Sequence, residues 1–334
     1  MRIFSGIQPT GRKHLGNYIG AIEQYVAGQD RGEAIYCIVD LHAITVAFEP
    51  AELRARLYDT TAILLAAGLD PARCILFRQS DVREHTELTW LLTAVTPHGD
   101  LNRMTQFKEK SAAQRELVSA GLFLYPVLQA ADVLAYRAEE VPVGDDQRQH
   151  LELTRDVALR FNARFPHPAT GGEVLVVPEH RIPEVGARIM DLQMPRAKMS
   201  TTNASVEGTV YVLDEPAAIE KKFKRAVTDS GAEVRRTPEK PGIGNLIEIL
   251  AAVRRVSTQD IEEEFEGTRY GDFKEAVATA VIEHLAPVRE RYQALREDEA
   301  GLEATLAQGA DRARAIAAGT VAEVRAAMGV GSPR

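Results

Sequence analysis

Two continuous apolar runs, Ala34-Ile35-Tyr36-Cys37-Ile38-Val39 and Cys74-Ile75-Leu76-Phe77, constrain the fold of this chain more than any other feature. Neither alternates apolar with polar residues, so neither suits a strand with one face in water. Such runs belong to parallel strands covered by helices on both faces. Between them, Pro50 opens a helix at its first turn and Gly68 closes it after Leu64-Leu65-Ala66-Ala67. Ahead of them, Ile3 to Ile7 reads as a strand and Gly16 to about Ala27 as a helix. Units alternating in this way predict an α/β fold with a Rossmann-like, doubly wound parallel sheet. Ligands of such sheets lie beyond the carboxyl ends of the strands, where Gln8 to Gly11 falls.

Helical patterns dominate from about residue 84 to 165, as a helical insertion in that sheet, and a strand is expected again at Val174 to Val177. Arg188-Ile189-Met190 reads as helix-like. Beyond residue 205 the expected helices are Glu215 to Ala226, Ile243 to Arg255, Asp272 to Arg296 and Leu302 to Met328, with Arg235 to Gly244 as a connector. The 334 residues suffice for two domains, and the pattern divides them into 1–200 and an all-helical 201–334.

The first residues read as a core strand rather than a signal peptide, and no uninterrupted apolar run is long enough for a bilayer. Cys37 and Cys74 sit inside the apolar runs, so buried reduced thiols and a cytoplasmic location are expected. The net charge of −8 argues against polyanion binding over the whole surface. A local basic stripe would be enough for nucleic acid, and Lys221, Lys222, Lys224, Arg225, Arg235 and Arg236 are the candidates, although a solvated helix face is the commoner explanation of such runs. The eight histidines show no HExxH spacing, and neither a P-loop nor a GxSxG elbow occurs.

Four segments carry chemistry. In Pro9-Thr10-Gly11-Arg12-Lys13-His14-Leu15-Gly16-Asn17, Gly11 serves an unusual backbone conformation and Gly16 a close approach at a helix start. The His14 ring would there reach a phosphate over the helix N-terminus; an ordinary βα turn with a surface histidine is the plain alternative. Lys198-Met199-Ser200-Thr201-Thr202 lies on a polar loop and supplies a mobile lysine. Asp132 is the one carboxylate in the otherwise apolar stretch Leu117 to Tyr136, and a buried carboxylate needs a donor in the protein or on a ligand. Gly144-Asp145-Asp146-Gln147 is a turn into a helix, which either caps it or binds hydroxyls or an ammonium group. Phe4 and His42, near the ends of the first two strands, are aromatic candidates.

These segments, in order, resemble the bacterial-type tryptophanyl branch of the class I aminoacyl-tRNA synthetases over essentially the whole chain. The resemblance rests on Phe4-Ser5-Gly6-Ile7-Gln8-Pro9-Thr10-Gly11, His14-Leu15-Gly16-Asn17-Tyr18-Ile19-Gly20, Asp40-Leu41-His42-Ala43-Ile44-Thr45, Met104-Thr105-Gln106-Phe107-Lys108-Glu109-Lys110, Ala131-Asp132, Val141-Pro142-Val143-Gly144-Asp145-Asp146-Gln147 and Lys198-Met199-Ser200. It implies that Gln8, Pro9, Thr10, Gly16 and Asn17 line an ATP site, with Gly144, Asp145, Asp146 and Ile189 around adenosine. His14, Lys110, Lys198 and Ser200 would act on the triphosphate, together with Met199, Thr201 and Thr202 of the same loop and with Mg²⁺ that needs no protein ligand. Asp132 would accept the indole N–H of L-tryptophan, Phe4, His42 and Val143 would pack near the ring, and Tyr125 and Gln147 would hold the amino-acid head group. The implied partners are tRNA(Trp), read by the helical region 201–334, and a second copy of the chain through the helices of 84–165; neither a membrane nor DNA is implied.

Asn17 stands where the wider class has histidine, as is usual for this branch. Thr201 stands where a second lysine is expected, with Arg196 as the candidate compensating cation. A tyrosyl-tRNA synthetase, a small-molecule adenylyltransferase and a non-catalytic paralogue are the competing readings. The long helical half and the lysine loop speak against the second, and Thr201 is the only hint of the third.

Overall fold

The computed structural model describes residues 1–105, 118–144, 147–181, 188–200 and 205–332, His180 by its backbone alone. Among them are five parallel strands: β1 (Arg2–Ile7), β2 (Glu33–Ile38), β3 (Cys74–Arg78), β4 (Glu140–Pro142) and β5 (Glu179–Arg181), in the spatial order β3-β2-β1-β4-β5. β1 pairs with β2 along its whole length, from Arg2 opposite Glu33 to Ile7 opposite Ile38. On its other side it pairs with β4 only at Ile3 and Glu140. The order reverses between β1 and β4, so the crevice at the carboxyl end of β1 is the topological switch point.

The apolar runs are continuous because the sheet is covered twice. Ala34, Tyr36 and Ile38 of β2 enter one core, while Ile35, Cys37 and the following Val39 enter the other. The first core holds Leu15, Tyr18 and Ile22 of α1 (Leu15–Asn17) and the π-helical turn Tyr18–Ile22 behind it. It also holds Ile63 and Leu64 of α4 (Pro50–Ala67). The second is built by α5 (Glu84–Thr93), α7 (Ala120–Leu134) and α8 (Arg148–Arg164), the insertion helices. The remaining short helices of this half are α2 (Glu23–Gly28), α3 (Asp40–Ala43) and α6 (His98–Asn102). Each large side chain buried this way contributes roughly 1.5–3 kcal/mol. Pro50 and Gly68 bound α4 as expected, Gly68 with a left-handed φ of 112°, and both cysteines are buried free thiols.

The later helices are α9 (Pro216–Lys224), α10 (Pro241–Arg254), α11 (Thr258–Glu264), α12 (Tyr270–Glu297) and α13 (Glu299–Met328). They do not stand apart from the sheet. Leu250, Val281 and Leu306 share the first core with Leu15 and Leu64, and Ala313 and Val324 share the second with Phe77. The last helix lies along β3, so closely that a Cβ on Gly309 would overlap the Leu76 carbonyl.

Three local expectations are corrected. Val174 and Leu175 are not in a strand: their N–H groups donate to Asn162 Oδ1 and the Leu175 carbonyl accepts from Asn162 Nδ2 at 2.8 Å, so a side chain of α8 replaces a ladder. Arg188 to Met190 is not helical; Met190 pairs antiparallel with Lys198. Pro241, Gly242 and Gly244 belong to the first turns of α10 rather than to a connector. No described helix is long and apolar enough to cross a membrane.

Candidate active site

A cavity of about 410 Å³ opens at the switch point, lined by Phe4, Ser5, Gly6 and Gln8 from β1 and its turn, His42 from α3, Tyr125, Gln129 and Asp132 from α7, and Val143 and Gln147 after β4. That volume suits one drug-sized ligand. All six residues expected around tryptophan line it. Phe4 does so while stacking on Tyr136 at 5.5 Å, so its core and site roles coincide. Gln129 Nε2 donates to Gln147 Oε1 at 3.3 Å across the cavity, and the Tyr125 hydroxyl meets His150 Nε2 at 2.9 Å.

Asp132, only 2% exposed, is not a lone carboxylate. Its Oδ2 accepts from His42 Nε2 at 2.7 Å, and its Oδ1 accepts from Gln79 Nε2 and His85 Nδ1, each at 2.6 Å. His85 Nε2 in turn meets the Tyr136 hydroxyl at 2.6 Å, which fixes the ring with its proton toward Asp132. Burial by itself would raise the Asp132 carboxyl; the charge and hydrogen bond of His42, then His85, outweigh it and hold the group down at about 2. The expected donor is thus in the protein, threefold. An ionised carboxylate offers about four lone-pair sites, so one is left for a ligand N–H. Gln79, His85 and Tyr136 were not among the expected site residues; the signal available was two polar residues after β3, Gln79 at its end and His85 in α5, whose target is set only by tertiary packing.

The turn after β1 holds the second half of the site. Gly11 has φ +60°, in the left-handed region. His14 N-caps α1: its Nδ1 accepts from the Asn17 N–H at 3.3 Å while Asn17 Oδ1 accepts from the His14 N–H at 3.1 Å. With Nδ1 as acceptor the ring proton is on Nε2, leaving a neutral donor. Burial first, then the charges of Lys198 and Lys13, press the imidazole down to about 4, so it is neutral at pH 7. Gly16 packs under this ring: a Cβ there would lie 3.1 Å from it and 3.5 Å from Ile189. Two cations and a capped helix start therefore converge beside Gln8, Pro9 and Thr10, an arrangement that attracts anions.

The lysine loop is anchored to the same place. Met199 N–H donates to the Ile189 carbonyl at 3.0 Å, and Asn245 of α10 clamps Met190 through both its N–H and its carbonyl at 2.9 Å. Beyond the loop, Val210 to Val212 pairs with the first motif, Leu15 N–H to Val210 O at 2.8 Å and Val212 N–H to Lys13 O at 2.9 Å. Lys198 is exposed and Met199 is buried in the core, so Met199 anchors the loop by its side chain. The Ser200 carbonyl accepts from Thr209 Oγ1 at 3.2 Å, and Gly144 is half-buried behind β4. Lys110, Asp145, Asp146, Thr201 and Thr202 lie outside the described residues. Lys222 is removed from the basic stripe, because its ammonium is bound by Asp214 Oδ2 and the Thr209 carbonyl, both at 2.6 Å. Lys221, Lys224, Arg225, Arg235 and Arg236 remain exposed.

The family model of class I tRNA synthetases (W and Y) matches residues 1–286. The tryptophan–tRNA ligase of Wolinella succinogenes is 50% identical over 329 residues, 98% of each chain. The crystal structure of tryptophanyl-tRNA synthetase from Mycoplasma pneumoniae is similar with TM-score 0.88 and 35% identity, covering 99% of this chain and 98% of that one. The Campylobacter jejuni tryptophanyl-tRNA synthetase complexed with ADP and tryptophan is similar with TM-score 0.81 and 33% identity, covering 99% and 100%.

Proposed function

Because this chain belongs to the W and Y family of class I tRNA synthetases, we propose that it is a tryptophan–tRNA ligase, activating L-tryptophan with ATP and charging tRNA(Trp). The observation that carries the substrate is the Asp132 carboxylate, ionised, held by three donors and lining a cavity whose apolar wall includes Phe4, Val133, Val141 and Val143. An indole N–H completes its hydrogen bonding; a substrate without a donor there leaves it short. Tyr125 and Gln147 hold the amino-acid head group at the mouth, and Phe4, His42 and Val143 flank the ring.

ATP lies over the start of α1, between the turn Gln8, Pro9, Thr10, Gly16, Asn17 and the loop Lys198 to Thr202, with Gly144, Asp145, Asp146 and Ile189 around adenosine. The tryptophan carboxylate oxygen attacks the α-phosphorus, the bond to the bridging oxygen breaks, and pyrophosphate leaves with that electron pair. No protein nucleophile is needed. His14 donates through Nε2–H, Lys198 and Lys110 supply charge, and Ser200 a hydroxyl, so catalysis is positioning plus electrostatic stabilisation. Mg²⁺, when bound with the triphosphate beside Lys198 and Lys110, would supply charge neutralisation. A terminal ribose hydroxyl of the tRNA then attacks the activated carbonyl and AMP departs.

The functional division is a catalytic 1–200 and a tRNA-reading 201–334, with Lys221, Lys224 and Arg225 as phosphate contacts. The protein works as a cytoplasmic homodimer through the helices of 84–165, where Trp90 is 75% exposed. The test is aminoacylation: purified protein, ATP, Mg²⁺ and labelled tryptophan should charge tRNA(Trp), and failure to charge it while exchanging pyrophosphate would restrict the reading to the first step.

A further inference from the structure

Lys13 is the unexplained residue of the first motif. It is 6% exposed, and its ammonium faces back into its own turn, donating to the carbonyls of Gln8 at 2.6 Å and Thr10 at 3.3 Å. Its own carbonyl accepts from the Val212 N–H at 2.9 Å, which ties its backbone to the returning segment. Burying an ammonium is costly, and an apolar side chain would fill the same space without that cost. What the ammonium does that an apolar residue would not is to fix two carbonyl orientations, one on either side of Pro9, and thereby the path of the backbone up to Gly11.

We propose that Lys13 is a positioning residue for the nucleotide: its charged form clamps the Gln8–Thr10 turn in the shape that receives ATP, and its deprotonation loosens that turn. This rests on the assignment of ATP to the turn made above. The groups facing Lys13 are Arg56 and Asp59 of α4, Tyr211 of the returning segment with Asp214 behind it, and its neighbours Arg12 and His14. The Arg12 guanidinium is turned away, onto the Tyr211 ring at 4.0 Å and Asp214 at 3.1 Å, so it does not compete for the carbonyls. Burial first and Arg56 second, opposed by Asp59, bring the ammonium down to about 8. Lys13 is thus charged at pH 7 and neutral well above pH 8, and a polyanion beside it favours the charged form. ATP binding near pH 8 should take up a proton.

The experiment is ATP–pyrophosphate exchange by wild type and Lys13→Met between pH 7 and 9.5, with KM for ATP and for tryptophan separated. At pH 7 the variant should raise KM for ATP about tenfold, the loss of a charge-assisted hydrogen-bonding group, with KM for tryptophan changed less than twofold. Wild-type KM for ATP should climb through pH 8 toward the variant's value, and the variant's should stay level. A parallel rise in both KM values, an unchanged KM for ATP in the variant, or a wild-type KM for ATP that is level across pH 8 would each overturn the proposal. Calorimetric titration of ATP into both proteins reads the same ratio without exchange. Wild type that binds ATP but exchanges with no amino acid would thus refute the proposed function while still deciding the role of Lys13.

Discussion

Replacing Asp132 by asparagine keeps the shape of the site and removes its charge. Oδ1 already receives two donors, Gln79 and His85 at 2.6 Å, and Oδ2 receives His42 at 2.7 Å. In Asp132→Asn the remaining oxygen belongs at the Oδ1 position, where two donors converge, and the new NH₂ replaces Oδ2. His42 accommodates it by exchanging tautomer, but the second N–H now meets the indole N–H, donor against donor. The loss is one hydrogen bond to a charged acceptor, about 1.5–3 kcal/mol, or roughly 10- to 150-fold in kcat/KM for tryptophan. The assay is ATP–pyrophosphate exchange with tryptophan and with 3-benzothienylalanine, in which sulfur replaces the N–H. Wild type should prefer tryptophan by a similar factor, and the variant by no more than about threefold, since both lack the same interaction. A variant within threefold of wild type on tryptophan, or one that still discriminates, would refute the assignment of Asp132 to the indole.

The depressed Asp132 carboxyl also carries stability. Its folded value of about 2 lies below the ordinary 3.8, so the unfolded chain binds more protons between them. The contribution, about 2 kcal/mol, is present above pH 4 and lost as pH falls toward 2; acid unfolding of Asp132→Asn should lack that component. Arg196→Ala should slow exchange about tenfold or more if Arg196 stands in for the lysine missing at Thr201, and an unchanged rate rejects that role. Trp90→Glu should convert a dimer to monomer in sedimentation at micromolar concentration, since a charge is depleted from interface cores; a wild-type monomer would remove the dimer.

β2 and β3 were legible because their apolar runs are uninterrupted, and α4 because Pro50 and Gly68 mark its ends. β4 and β5 were not: Glu140–Pro142 and Glu179–Arg181 have three residues each, with charges and a proline, and owe their state to the strands beside them. Val174-Leu175 misled because its apolar residues pack under α8 while Asn162 takes its backbone bonds. Within the site, Phe4, His42, Asp132, Val143 and Gln147 were legible as residues on motifs, and the cavity gathers them. The partners of Asp132 were not, because Gln79 and His85 reach it from β3's far end and from α5, distances in sequence that no local pattern encodes. Asn245, clamping Met190 from α10, 55 residues away in sequence, was hidden for the same reason.

The most direct test of the account is wild-type ATP–pyrophosphate exchange in three parallel reactions, with tryptophan, with tyrosine and without amino acid. Exchange driven by tryptophan alone is the predicted result. Exchange driven by tyrosine, or by neither amino acid in a folded protein, would contradict it.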